Sequence, residues 1–377
     1  MGLKSYRFSV SWSRILPDGT EKINQKGIEF YQSLVRELKA AGIEPMVTLY
    51  HWDLPYALYL QGGWKNPQIP DWFAAYTKIV VEALSDQVQY WMTLNEPQCF
   101  VGIGHLQGRH APFLDEPASL RPVTRHVLLA HAKAVQTIRQ YAKLPPKVGY
   151  APTGPVFSPC GDESEAAIAE AYRRTMEVEG CYSISWWCDP VLLGRVPEPM
   201  AKALGADVFT PQELELLHQP LDYLGFNVYN ACAAQQPGSE YTANTWQGSP
   251  RTAMEWPITP DCIYWAIRFL NQRYGRPILI TENGMANTDF VMLDGKVHDP
   301  QRIDYVHRHL LAARRALQEG YPLIGYTYWS IMDNYEWAEG YSKRFGLIYV
   351  DYRTMERIPK DSAAWYAHVI ATNGSEL

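Results

Sequence analysis

Two periods of apolar residues alternate along this chain. Seven short runs read as β-strands, most followed by turn or helix-start signals: Ser5–Trp12, Glu44–His51, Val88–Asn95, Lys147–Pro152, Asp222–Tyr229, Pro277–Glu282 and Gly325–Ser330. Helical patterns lie between them. Ile28–Ala41 places apolar residues at 28, 31, 34, 35, 38 and 41, one face of a helix. Asp71–Leu84, Val123–Tyr141, Ser164–Glu177, Asp261–Tyr274 and Asp299–Glu319 read the same way. Regular alternation of strand and helix argues for a parallel sheet flanked by helices. No Pro/Gly/Ser-rich linker interrupts the pattern, so residues 1–377 are expected to form one domain.

The polar residues narrow the fold class. Nearly every run ends in hydrogen-bonding or aromatic groups: His51-Trp52, Asn95-Glu96, Asn227 with Tyr229, Glu282-Asn283, and Trp329. In a closed barrel all strand C-termini open onto one face, where the active site sits. An open sheet would spread these groups along a crevice. The expected fold is therefore α/β, a (β/α)₈ TIM barrel. Seven strands are one too few to close it, and the first begins almost at Met1, so the barrel is expected to be incomplete.

Composition adds a hint of ligand class. There are 13 Trp and 25 Tyr against 11 Phe, several beside carboxylates and amides. Flat apolar faces next to hydrogen-bonding groups suit a sugar, although a large core would also use them. The net charge of −6 gives no electrostatic reason to expect a nucleic-acid partner. No apolar run reaches the roughly 18 residues of a membrane span, and no signal-peptide core is evident. Six cysteines (99, 160, 181, 188, 232, 262) are scattered without CxxC pairs and read as reduced thiols, which favours a cytoplasmic location. Neither HExxH nor a Walker A sequence occurs, and no metal or organic cofactor is implied. His126 and His131 lie in a helical stretch and read as structural.

Two segments carry candidate chemistry. Thr93-Leu-Asn-Glu-Pro97 and Ile280-Thr-Glu-Asn-Gly284 each end a strand with a Glu, followed by a residue that stops it. Viewed alone, a Glu at a strand end is more often structural. A matched pair suits glycoside hydrolysis, where one carboxyl protonates the leaving oxygen and the other attacks the anomeric carbon. Retention of configuration requires the two roughly 5–5.5 Å apart.

With these motifs the chain resembles glycoside hydrolase family 1, the β-glucosidase family. The match continues through Arg7-Phe-Ser-Val-Ser-Trp-Ser-Arg14, Leu49-Tyr-His-Trp-Asp-Leu-Pro55, Gln61-Gly-Gly-Trp64, Gly225-Phe-Asn-Val-Tyr229, Asp333-Asn-Tyr-Glu-Trp337 and Gly340-Tyr-Ser-Lys-Arg-Phe-Gly346. The resemblance implies Glu96 as general acid/base and Glu282 as nucleophile. It implies Arg7 and Tyr229 as supports of Glu282, and Asn95 as the partner of the sugar 2-hydroxyl. His51 and Trp337 would contact hydroxyl 3, Glu336 hydroxyls 4 and 6, and Trp329 would floor the sugar ring. Trp52, Asn227 and Phe345 complete the expected substrate-binding set. The expected activity is retaining hydrolysis of terminal β-D-glucosyl residues from a β-glucoside or short β-linked oligosaccharide, with galactosides and fucosides as secondary substrates. A carboxylate at position 336 would repel a 6-phosphate, which disfavours the 6-phospho-β-glucosidase alternative.

Family members carry a further βα unit, with a sugar-binding Gln, before the strand that opens this chain. Its absence here leaves three readings open: a longer natural chain that carries the unit, a truly incomplete barrel whose gap is covered by loops or a neighbouring subunit, and a non-catalytic glycan-binding remnant. It also leads to an expectation of homo-oligomer formation or chaperone association through exposed barrel edges.

Overall fold

The computed structural model describes residues 1–159, 162–233 and 248–377; Cys160 lies outside them. Among the described residues there are eleven strands. They are β1 (Ser5–Ser9), β2 (Glu44–Tyr50), β3 (Tyr90–Asn95), β4 (Lys147–Ala151), β5 (Val156–Ser158) and β6 (Leu224–Asn227). The others are β7 (Ala231–Ala233), β8 (Ile278–Asn283), β9 (Leu323–Tyr328), β10 (Ile348–Val350) and β11 (Arg357–Pro359). The chain forms two compact units. The N-terminal unit comprises Lys4–Gly154 and Met176–Phe226; the C-terminal unit comprises Met1–Leu3, Pro155–Thr175 and Asn227–Leu377.

In the N-terminal unit β1, β2, β3 and β4 pair in that order, all parallel. Every β2 residue after Glu44 and every β3 residue after Tyr90 is buried, as expected of parallel strands covered on both faces. All five residues of β1, at the edge, are only half-buried. Helices Gln25–Ala40, Ile69–Leu84 and Leu120–Tyr141 alternate with these strands. The run expected to continue to Trp12 stops at Ser9, because Trp12–Ile15 turns into a short helix. The backbone carbonyls left at the strand ends are not orphaned. The Tyr76 hydroxyl reaches those of Val10 (3.0 Å) and Leu49 (2.9 Å). Trp12, Tyr50, Trp64, Phe73, Tyr76 and Phe100 pack ring against ring beneath them. Gly149 in β4 is required by packing, since a Cβ there would sit 2.2 Å from the Tyr223 ring.

In the C-terminal unit β8 and β9 pair parallel, β5 and β7 pair parallel, and β10 and β11 form an antiparallel pair. Helices Cys262–Tyr274, Pro300–Gln318 and Asp361–Ala371 belong to this unit. Met285, Tyr305, Val306, Leu347, Ala363 and Tyr366 form a buried cluster in it.

Each of the seven expected runs overlaps a strand, and each of the six expected helices is present within three residues at either end. The three-residue strands β5, β7, β10 and β11 were not expected, nor were helices Ile184–Leu192, Glu198–Leu204, Pro211–Leu217 and Asp361–Ala371. No helix among the described residues is long and apolar enough to cross a membrane.

Candidate active site

In the N-terminal unit the candidate residues converge on Asn95, the last residue of β3. Arg7 in β1 donates to its Oδ1 at 2.6 Å. Because guanidinium can only donate, the Asn95 oxygen faces Arg7 and its Nδ2 faces His51 Nε2, 3.1 Å away. His51 Nε2 is then the acceptor, which puts the imidazole proton on Nδ1. The Trp52 indole donates to the Asn95 carbonyl at 2.9 Å and packs against His110, ring centres 5.4 Å apart. Neighbouring sheet positions thus meet at one side chain. The β3–β4 register shifts between Met92 and Asn95, an irregularity of the kind that re-aims a side chain at a strand end.

Glu96 follows immediately and is buried. Its N–H donates to the Ala151 carbonyl at 2.8 Å, and the Cys99 thiol lies 3.1 Å from its Oε2 as donor. Cys99 opens a π-helical segment, Cys99–Leu106, a geometry often found at functional sites. Glu96 (φ 42°) and Trp52 (φ 82°) both hold left-handed backbone, as does Trp337 (φ 44°) in the C-terminal unit. Three of the expected site residues therefore sit in conformations that cost energy unless the surroundings enforce them.

In the C-terminal unit Glu282 lies one residue before the end of β8 and is buried. Its Oε2 accepts a hydrogen bond from the Tyr229 hydroxyl at 2.7 Å. Tyr229 is itself fixed: the Tyr305 hydroxyl donates to its carbonyl at 2.7 Å, and its ring packs on Trp256 (5.1 Å) and Phe345 (6.1 Å). Asn227 is fully buried and accepts from Thr281 at 2.6 Å. The Asn283 amide donates to the Val228 carbonyl (2.7 Å) and accepts from Tyr326 (2.7 Å), locking the chain on either side of the nucleophile candidate. Gly284 admits the next strand's end: a Cβ there would lie 2.0 Å from the Trp329 carbonyl oxygen. Trp329, Glu336 and Trp337 are partly exposed.

Three features of these surroundings were not foreseen. Trp256 lies in a loop, where no strand end marks it. Cys99 sits past the strand, one helical turn from Glu96. Asp333 was read only as part of a motif, yet it anchors a network of buried charge. His126 and His131 are held in the core: His126 faces the Trp64 carbonyl, and burial pushes His131 down to about 3, so it is neutral. Among the described residues no group of three or more His, Cys, Asp or Glu is placed to hold a metal ion.

The sequence profile described as glycosyl hydrolase family 1 matches residues 1–375. "Beta-glucosidase A" of Thermotoga maritima is 42% identical over 383 aligned positions, covering 100% of this chain and 84% of the relative. A "Bifunctional beta-D-glucosidase/beta-D-fucosidase" of Bifidobacterium breve is 38% identical over 100% of this chain and 85% of its own length. The solved β-glucosidase from Thermotoga maritima in complex with deoxynojirimycin superposes with a TM-score of 0.89 at 41% identity, covering 99% of this chain and 84% of that one. The chain therefore shares the α/β (β/α)₈-barrel fold class and belongs to glycosyl hydrolase family 1, a family of glycoside-hydrolysing enzymes.

Proposed function

We propose that this chain is a retaining β-glucosidase, with residues 1–377 as its catalytic domain. The observation that carries the reading is the matched pair of buried strand-end glutamates. Each has a side-chain hydrogen-bond donor on one carboxyl oxygen: Cys99 at Glu96 and Tyr229 at Glu282. The names of the relatives from Thermotoga maritima and Bifidobacterium breve support the same substrate class, with β-fucosides as a second substrate.

In this reading the Glu282 carboxylate attacks the anomeric carbon while Glu96 gives its proton to the departing oxygen. A glycosyl ester on Glu282 results. Glu96, now ionised, removes a proton from water, which attacks the same carbon and releases Glu282. Tyr229 orients the nucleophile. Asn95, held between Arg7 and His51, presents its amide to the sugar 2-hydroxyl, a contact that strengthens as positive charge builds at the anomeric carbon. His51, Trp52, Asn227, Trp329, Glu336, Trp337 and Phe345 are read as the substrate-binding residues. Glu336 favours neutral hydroxyls 4 and 6 over a 6-phosphate, because close like charges oppose binding. The chemistry needs only the two carboxyl groups and water.

The test is nitrophenol release from an aryl β-D-glucoside by the full chain, beside Glu282→Gln. The expected result is turnover that disappears in the variant. A folded wild-type chain that binds the glucoside without turning it over would point instead to a glycan-binding remnant. We also propose self-association or chaperone association through the half-buried edge strand β1, and a cytoplasmic location consistent with five free cysteines among the described residues.

A further inference from the structure

The segment that carries Glu336 and Trp337 follows Asp333 directly, and its Tyr335 ring packs on Tyr341, centres 5.4 Å apart. Asn334 and Tyr335 are exposed, and Trp337 holds a left-handed backbone. At its base stands Asp333, which is buried. Its Oδ1 accepts from Lys360 Nζ (2.8 Å) and the Gly346 N–H (2.9 Å). Its Oδ2 accepts from Arg344 (2.7 Å) and the Val350 N–H (3.4 Å). Lys360 also reaches Asp289 at 2.5 Å, and Arg302 joins Asp289 (2.6 Å) to Asp299. Asp299 in turn accepts from the N–H (2.9 Å) and hydroxyl (2.6 Å) of Ser362. The side chains of Asp289, Asp299, Arg302, Asp333 and Lys360 are wholly buried, and that of Arg344 is 16% exposed.

Three cations therefore balance three anions, all but Arg344 out of contact with water. Such networks are poor sources of stability, because desolvating each ion offsets most of the attraction. Their best-attested use is registry: only one arrangement satisfies every member. Here the arrangement ties Asp333 to Lys360, just after β11, to the start of helix Pro300–Gln318, and to the Gly346 backbone. Gly346 approaches so closely that a Cβ would lie 2.1 Å from the Asp333 nitrogen.

We propose that Asp333, clamped by Lys360 and Arg344, is the positioning residue for Glu336 and Trp337. Through them the network sets the preference for sugars bearing a 6-hydroxymethyl group over pentosides that lack it. This rests on reading Glu336 as the partner of hydroxyls 4 and 6. Tyr229, the donor to Glu282, is held by Tyr305 and not by this network, so the expected consequence is selective rather than general.

The experiment compares kcat and KM for 4-nitrophenyl β-D-glucoside and β-D-xyloside in the full chain and in Asp333→Asn. A second variant, Lys360→Met with Asp289→Asn, removes one charge of each sign, keeps the remainder balanced and serves if the first does not fold. The expected result is a fall of about tenfold or more in the glucoside-to-xyloside ratio of kcat/KM, carried mainly by KM for the glucoside, the scale of one hydrogen bond to a charged group. A role confined to stability would lower the melting temperature and leave that ratio unchanged. A folded variant with the wild-type ratio overturns the inference alone. A wild-type enzyme with no preference for the glucoside overturns the reading of Glu336 and the inference with it.

Discussion

Asp53, within the His-Trp-Asp-Leu-Pro segment, shows how one residue links burial to pH. Burial pushes its carboxyl up to about 6, and hydrogen bonding to Ser11 and the Arg14 charge only partly oppose this. The folded-state value therefore lies above the ordinary 3.8, so folding favours the protonated form. Its contribution to stability is complete below about pH 4 and is lost as pH rises through about 6. Asp53→Asn imitates the protonated side chain. Denaturant unfolding should show the variant gaining on the wild type across that window; parallel stability curves would contradict the assignment. Tyr229 allows a sharper test of catalysis. Its hydroxyl is one donor to Glu282, and a hydrogen bond to a charged group contributes about 1.5–3 kcal/mol. Tyr229→Phe should lower kcat/KM by about one to two orders of magnitude while leaving the fold intact by circular dichroism.

The same scale shows what the chain's residues reveal by themselves. Glu96 and Glu282 could be picked out because a charged side chain ending an apolar strand contradicts its local pattern. Asn95, His51 and Trp52 stood beside them for the same reason. Trp256, Lys360 and Arg302 carried no such mark. A tryptophan in a loop is compatible with plain packing, and Lys360 meets Asp289 across 71 positions and Asp333 across 27. Contacts of that kind follow from the fold and leave no local pattern.

At the scale of elements, β2, β3 and β8 were legible because parallel strands buried on both faces read as continuous apolar runs. Helix Ile184–Leu192 was not. Every one of its nine residues is buried and Pro190 lies inside it, so it has neither a polar face nor an uninterrupted helical pattern. The three-residue strands are too short for any period to register. Where β8 ends, Gly284 permits the Trp329 carbonyl to approach, and the Trp329 N–H donates back to the Asn283 carbonyl at 2.8 Å. Gly284→Ala must push these strand ends apart. The expected cost is about 1–3 kcal/mol, the usual range for overpacking, read as a lower denaturation midpoint. Activity should fall further than stability, since Glu282 and Trp329 move with the displaced backbone. Unchanged activity in a destabilised variant would show that β8 tolerates the shift.

For the whole molecule, family membership follows from a match over nearly the full chain, and the net charge of −6 suits a neutral small-molecule substrate better than a polyanion. Self-association through β1 predicts a mass above that of one 43.1 kDa chain in light scattering, and a monodisperse monomer would contradict it. The proposed double displacement requires that Glu282 become covalently glycosylated. The most direct test is mass spectrometry of the chain after reaction with a 2-deoxy-2-fluoro-β-D-glucoside bearing a good leaving group. The fluorine destabilises the charged transition states, and the good leaving group lets the ester form faster than it hydrolyses. The expected result is one fluoroglucosyl adduct, located on the peptide containing Glu282 and absent from Glu282→Gln. An adduct on another residue, or none from a chain that turns over the parent glucoside, would contradict it.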